Sequence, residues 1–455
     1  MVSALSRACL TGAVVFTAQL ACAISFQGLD ASFDNGYNQS ELTAISGDGN
    51  VVIGTVALPT EPESTAAPSR GSFSWDWTDA TYNPVNNFNA TSICYSGETW
   101  AGSYTNREFP AIWTEAGGVD RIGQPSGQFI GTDKLIISGD THTLIANLNM
   151  RFGSVTKLVS YLWTEDNGYS QIAPLPLLGH DTTLLTGISQ DGSAIVGTSM
   201  DLVDAGELIN LPNRAFLWTS TGGILNLGAL PHLLELELVS HSAATGISAD
   251  GQVVIGYSVS YVSEFEGFIW DQTNGMQSLG YIAGEPTPFS SIPNATTANG
   301  SVVVGNLQWT EGDEEDTTPY IWDTVNGMQD MKAYLEGYGL DLDGWTLKDA
   351  VDISADGTVI IGNGINPDGN SEGWVASLHE LTSEEFSEPI PDFSDGIGLC
   401  IASQRGVTYL IESTTDLSLP FTPEPGGIVV GNGKKLLWTD QGLPADQKYY
   451  RISAE

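Results

Sequence analysis

Ile247-Ser248-Ala249-Asp250-Gly251-Gln252-Val253-Val254-Ile255-Gly256 reads as a strand, a tight turn and a second strand. Asp250-Gly251 turns the chain because glycine accepts the positive φ that a short hairpin needs. The β-branched run behind it favours extended backbone. Around this phrase, residues 244–248, 253–258, 267–270 and 276–279 read as four short strands, with Asn274-Gly275 turning the third into the fourth.

The phrase recurs. Clear copies occupy residues 45–54, 188–197 and 353–362; degenerate ones occupy 93–102, 137–146 and 296–305. Each is followed by an apolar run ending in tryptophan: Trp75, Trp113, Trp163, Trp218, Trp270, Trp322 and Trp374. Further turn pairs stand at Gly117-Gly118, Asn167-Gly168, Gly222-Gly223 and Asn326-Gly327. A four-stranded sheet of about fifty residues cannot bury both faces alone, so neighbours must stack on it. The expected fold is all-β: a seven-bladed β-propeller of four-stranded blades, plus a small C-terminal β-sandwich. The seventh repeat stops after Trp374 and Val375, one strand short. Residues 25–29, Ser-Phe-Gln-Gly-Leu, read like the missing strand. Pairing them beside the seventh repeat would close the ring and leave no open edge. The tryptophans sit mid-strand among apolar neighbours, so packing between blades is expected of them rather than sugar stacking.

Among 455 residues, 15 Lys and Arg face 55 Asp and Glu, a net charge of −40. Such a surface repels phosphate backbones and anionic headgroups, so no nucleic acid is expected as partner. Residues 1–23 read as a signal peptide: Arg7, a short apolar run over residues 8–20, then Ala21-Cys22-Ala23. The run is too short to span a bilayer comfortably. Secretion to the extracellular space or cell surface is expected, with no membrane insertion after signal cleavage. Leu20-Ala21-Cys22 loosely echoes a lipid-attachment site, although Gln19 stands where that pattern wants an apolar residue. Cys94 and Cys400 remain after cleavage, far apart and expected to be unpaired; Cys94 reads as a small core residue on a strand.

Chemistry is sparse. His142, His180, His232, His241 and His379 show no metal-ligand spacing, and no nucleophile elbow, phosphate loop or dinucleotide fingerprint occurs. No catalytic, cofactor-binding or metal-binding residue is therefore assigned. Asp48, Asp191, Asp250 and Asp356 read as turn formers whose side chains bond nearby backbone N–H groups. Asp313, Glu314, Glu315 and Asp316 form an acidic block, and Asp341-Leu342-Asp343-Gly344 offers alternating oxygens. Both carry donors that calcium takes, but neither carries a full ligand set, and solvated loops are the default reading.

In a four-stranded meander the short Asp-Gly and Asn-Gly turns share one face. Second-to-third loops and blade crossings share the other, and there they are long and uneven. Binding residues concentrate on variable loops held by a rigid scaffold. The long-loop face is the expected working face, carrying residues 57–70, 200–213, 258–266, 308–318 and 332–345.

The recurring Ile-Ser-x-Asp-Gly…Val-Ile-Gly…Ala-Phe-Leu-Trp…Leu-Gly pattern resembles the HAF family of extracellular repeats over about residues 26–378. No copy keeps the eponymous His-Ala-Phe; Arg214-Ala215-Phe216 comes nearest. Residues 335–362 also resemble a stretch common in the last repeats of such proteins. The resemblance implies export and a propeller-like fold, and brings no catalytic residues. The expected domains are the signal peptide (1–23), the propeller (24–379), an acidic linker containing Pro389 and Pro391 (380–395), and a small β domain (396–455). The last is similar to a module at the C-terminus of exported bacterial proteins that ends in Tyr-Tyr-Arg-Ile, here Tyr449 to Ile452. Such a tail would serve surface attachment or sorting, or dock on the propeller. The expected function is non-catalytic binding of a protein or glycan by a monomer. Alternatives are a secreted polysaccharide hydrolase or lyase and a structural envelope component.

Overall fold

The computed structural model describes residues 4–8, 25–29, 40–57, 70–77, 81–85, 87–104, 109–176, 180–200, 213–231, 241–260, 262–311, 314–378, 390–392, 396–402, 408–414, 422–430, 435–439 and 448–454. They fall into two units, one built on residues 28–334 and 344–375, the other on 1–27, 335–343 and 376–455.

The larger unit is a seven-bladed propeller. Six blades are four-stranded meanders with strands in chain order; the fifth runs Ser242–Ile247, Val253–Ser258, Glu266–Asp271, Gly275–Ser278. The seventh has the order Ser25–Gly28, Ser371–Ser377, Val359–Ile365, Thr346–Ile353, so a strand from the start of the chain completes it. Leu29 N donates to Gly373 O at 2.9 Å, continuing that seam. The expected closure is present. First strands sit innermost: Ser40–Ile45, Phe88–Ile93, Gln128–Ile137, Thr182–Ile188, Ser242–Ile247, Ser290–Thr296 and Thr346–Ile353 each adjoin the next, and the last adjoins the first.

Blade packing follows from one repeated trade between a glycine and a ring. The glycine at the fourth position of the second strand faces an aromatic residue on the third: Gly54 with Phe73, Gly256 with Phe268, Gly305 with Tyr320, Gly362 with Trp374. Those four rings, with Phe216, are 0% exposed. Trp374 thus fills the phenylalanine position, although its spacing in the sequence matches the tryptophan beat. The remaining beat tryptophans stand two residues further on; Trp75 and Trp270 are buried there, and Trp270 packs with Val254, Phe268 and Leu230.

A second device laces neighbouring blades. All seven inner strands carry a β-bulge, and in four of them the bulged residue reaches the next blade's backbone. Thr91 Oγ1 donates to Leu135 O (2.7 Å), Thr186 Oγ1 to Ala244 O (2.8 Å), Thr245 Oγ1 to Pro293 O (2.7 Å) and Asn294 Nδ2 to Ala350 O (2.7 Å). Where the bulge is displaced, in blade 3, or carries Val351, in blade 7, an asparagine on the second strand substitutes. Asn147 Nδ2 donates to Leu185 O, and Asn363 bonds both N and O of Leu42. Buried polar groups find partners here because an unpaired one costs on the order of 1–3 kcal/mol.

The second unit holds two antiparallel sheets, the composition of the expected sandwich. One runs Ala4–Ala8, Lys448–Ala454, Thr408–Thr414, Thr422–Val430; the other Ile390–Asp392, Gly396–Ala402, Lys435–Thr439. Ile390–Asp392 lies in the stretch read as linker yet pairs with Gly396–Gly398. Ala4–Ala8 lies in the segment read as signal peptide and pairs with Lys448–Ile452.

Candidate functional site

The two faces of the propeller differ sharply. On the short-turn face, each first-to-second turn bonds the next through its backbone. Asp48 N donates to Tyr95 O, Tyr95 N to Gly139 O, Asp140 N to Gln190 O, Gln190 N to Ala249 O, Asp250 N to Ala298 O, Ala298 N to Ala355 O, and Ala355 N to Gly47 O. The circuit is complete. In five of the seven turns an acid is consumed as well: Asp48 Oδ1 accepts from Ser46 Oγ (2.6 Å) and Asn50 N (3.1 Å), and Asp140, Asp191, Asp250 and Asp356 repeat the pattern. These hydrogen bonds hold the Asp191 carboxyl below the usual carboxylate range. The turn-former reading is correct. Cys94 is a correction of detail: it is buried but lies in a turn, in the serine position, where Sγ accepts from Thr99 N at 3.3 Å.

One turn departs from the pattern. Gly49, Gly97, Gly192, Gly251, Gly300 and Gly357 all have φ between 69° and 80°, but blade 3 places Thr141 there at φ 68°. A β-branched residue in the left-handed region is strained by about 1–2 kcal/mol, against about 0.5–1 kcal/mol for the flexibility of glycine in the unfolded chain. Thr141→Gly is therefore expected to stabilise by up to about 1 kcal/mol. A urea-unfolding midpoint that rises at constant slope checks it; a lower midpoint would mean contacts of the Thr141 side chain outweigh the strain.

Charged groups gather along the innermost strands. Lys134 on blade 3 and Asp352 on blade 7 interact although their blades are not neighbours, which places both side chains toward the axis. Loss of solvation lowers the affinity of Lys134 for its proton, while the charges of Asp352 and Asp133 oppose that shift. Burial pushes Asp352 up to about 6 from 3.8, against the pull of hydrogen bonds from Ile45 N and Ile353 N and of Lys134. Asp349 is likewise raised by burial, with Glu41 adding to the shift. Asp352 also staples the closing seam, since Ile45 N of blade 1 donates to its Oδ2 at 3.1 Å. A carboxyl whose folded pKa lies above its unfolded value favours folding when protonated. Its contribution is full below about pH 4 and lost as pH rises through about 6. Asp352→Asn, which mimics the protonated state, is expected to gain about 2–3 kcal/mol on wild type between pH 4 and pH 7. Parallel urea melts at the two pH values measure it; a difference independent of pH contradicts the assignment.

The opposite face is built for projection. In blade 3, strands Gln128–Ile137, Thr143–Phe152 and Val155–Thr164 are each 10 residues long. Blade 6 raises a second hairpin, Val302–Glu311 and Glu314–Asp323, also 10 residues each. The stretch 308–318, expected as a loop, is thus mostly paired strand, with Gln308 opposite Thr317 and Trp309 opposite Asp316. Between these hairpins, blade 5 buries an acid: Glu266 is 6% exposed and accepts a short bond from Ser278 Oγ. Tyr281 Oη is buried beside Glu266, Ser260 and Ser263 without a closed hydrogen bond, and burial together with the Glu266 charge pushes the phenol up. Tyr257, on the second strand, and Phe265, on the loop that follows, pack edge-to-face at 5.3 Å nearby. Nothing in the sequence singled Glu266 out from its many fellow acids. Of the other expected segments, 332–345 holds the helix Met331–Gly337, whereas 58–69 and 201–212 lie outside the described residues.

Among the described residues, the histidines and acidic blocks do not converge. His142 is exposed on a turn 3.5 Å from Asp140, His180 Nδ1 meets Ser199 Oγ at 2.8 Å, and His241 Nδ1 accepts from Asn213 N at 3.1 Å. His232 and His379 lie outside the described residues. Asp316 pairs with Lys348 at 2.9 Å, and Asp341 Oδ1 accepts from Asp343 N. Among the described residues, no group of three or more metal-ligating side chains comes together.

No family model matches the chain, and no curated protein matches it. Solved structures do. It is similar to the β-propeller domain of the Trilobed protease from Pyrococcus furiosus, described as having an open velcro topology: 13% identity, 77% of this chain and 100% of that one, TM-score 0.50. It is similar to an oligogalacturonate lyase in complex with manganese, at 12% identity over 84% and 97% of the two chains and TM-score 0.51. It is also similar to the acylaminoacyl peptidase of Pyrococcus horikoshii, at 12% identity and TM-score 0.50, spanning 79% of this chain but only 57% of the peptidase. At such identities the likeness establishes one thing: this chain is a β-propeller.

Proposed function

We propose that the protein is an exported, HAF-like, non-catalytic propeller that binds a protein or glycan through its long-loop face. One observation carries the reading: the asymmetry of the faces. The turn face spends its backbone groups and its carboxylates on ring closure, which leaves little for a ligand. The other face projects hairpins, aromatic residues and unspent polar groups from a rigid ring. On this reading, cleavage after Ala23 removes Ala4–Ala8 and frees the closing strand Ser25–Gly28 as the new N-terminus. Mature protein is expected to be captured on a glycan array or by a protein partner, and replacing the exposed Val262 and Glu264 with glycine and serine should weaken capture without shifting Tm. Capture lost instead through changes in the Asp-Gly turns would refute it.

Glu266 supports a second reading, a hydrolase or lyase acting on polysaccharide. A buried carboxylate beside an unfilled phenol oxygen resembles the start of an acid–base pair. Product release from a polysaccharide by wild type but not Glu266→Gln would favour it; capture without turnover favours binding.

A further inference from the structure

The blade 3 hairpin is an unfinished sheet. Its third strand, Val155–Thr164, is paired along its full length with Thr143–Phe152 on one side. On the other side only Leu162–Thr164 has a partner, the short strand Gly168–Ser170. Residues 155–161 therefore present an outer edge with no strand beside it among the described residues. The hairpin also rises four residues past Leu148, the counterpart of the Ser258 that ends the second strand of blade 5. At about 3.3 Å per residue that is a projection of about 13 Å above the long-loop face.

Proteins normally protect such an edge, since unpaired backbone groups recruit further strands. Blade 6 does so. There Glu314–Asp323 meets its fourth strand only at Tyr320–Asp323, but its open part carries Pro319 and acidic residues. Lys348 bonds that part through its backbone O, which accepts from Thr317 Oγ1, and through Asp316. Blade 3 has none of these guards: Val155-Thr156-Lys157-Leu158-Val159 has no proline and no acid. Its tip exposes apolar side chains, with Ile130 43%, Phe152 54% and Val155 43% exposed. Phe152 lies opposite Val155, so both share one sheet face, and Lys157 follows on that face while Arg151 lies on the other. In a protein of net charge −40, neither Arg151 nor Lys157 takes a carboxylate partner among the described residues.

We propose that this edge receives an extended polypeptide strand that carries an apolar residue and an acidic residue two positions apart, on one face, added antiparallel or parallel beside residues 155–159. The inference rests on the long-loop face being the working face, and it names the partner's chemistry there. Backbone groups of the edge supply the hydrogen bonds, Phe152 and Val155 take the apolar side chain, and Lys157 takes the carboxylate two residues along on the same face. A second copy of this chain fits less well, because equivalent edges would oppose Lys157 to Lys157 between two strongly anionic bodies.

The probe is a labelled seven-residue peptide, Thr-Val-Thr-Glu-Thr-Val-Thr, titrated against mature full-length protein by fluorescence anisotropy. Binding is expected, weakened about tenfold by Lys157→Glu and by replacing the peptide's glutamate with lysine. Methylating alternate backbone nitrogens of the peptide in one register should abolish binding and in the other spare it, a readout that leaves the protein untouched. Equal binding by both methylated peptides and the parent, or by Lys157→Glu and wild type, overturns the proposal. So does a concentration-dependent dimer of the free protein that Val155→Pro abolishes, which would assign the edge to a second copy. If the peptide ignores this edge while changes in residues 258–266 still alter partner capture, the edge proposal alone falls. If those changes have no effect either, the reading of the face falls with it.

Discussion

Trp374→Ala is expected to cost about 3–5 kcal/mol, the range for removing a large aromatic side chain from a close-packed core. Trp374 is 0% exposed, so truncation leaves a cavity that cannot drain to solvent. Its ring lies over Gly362, on the third strand of blade 7, next to the closing strand. Loss there is expected to loosen the seam before the rest of the ring. Chemical denaturation should show a lowered midpoint, and limited proteolysis should release a fragment cut near the start of the chain first. A change below about 1 kcal/mol would place the side chain in a site that relaxes freely.

The second large effect comes from adding one carbon. A Cβ at Gly256 would lie 2.1 Å from Ala243 O and 2.7 Å from the Phe268 ring. The first of these atoms is backbone in the paired inner strand, so it yields only by breaking the ladder between Ser242–Ile247 and Val253–Ser258. Gly256→Ala is expected to destabilise by about 3 kcal/mol or more, unusually severe for a glycine-to-alanine change. Gly275→Ala, whose Cβ would meet nothing within 4 Å, has only its φ of 68° to contend with and should cost about 1–2 kcal/mol. A denaturation series comparing the two variants tests the ranking; equal losses would mean that strain, not contact, governs both.

How much of this was legible follows from where each signal lives. Asp250-Gly251 and Asn274-Gly275 announce their turns because the requirement for positive φ is local to two residues. The closing strand was found by counting, since a ring lacking one strand demands it from elsewhere. Trp374 was misplaced by two residues because the third strand of blade 7 starts after a turn held by Asn366, whose Oδ1 accepts from the N–H groups of Asp368 and Asn370. The spacing in sequence hid that shift. The blade 6 hairpin read as a loop because acidic residues 313–316 look solvated, whereas ladder pairs such as Leu307 with Thr318 are fixed by the sheet below. One signal was present and overlooked: threonine stands two residues before the isoleucine of the repeat at Thr43, Thr91, Thr186 and Thr245. At Thr91, Thr186 and Thr245 that is the bulge residue that ties one blade to the next, whereas Thr43 Oγ1 donates within its own blade, to Ile53 O. Glu266, the buried acid, carries no local mark; only the fold reveals it.

Ring closure is tested most directly by hydrogen exchange at the Leu29 amide, which donates to Gly373 O. In a closed propeller, the mature N-terminal peptide should exchange as slowly as the blade strands, with protection that vanishes only on global unfolding. Exchange at the rate of a free chain end, while Val359–Ile365 remains protected, would show the seventh blade standing open.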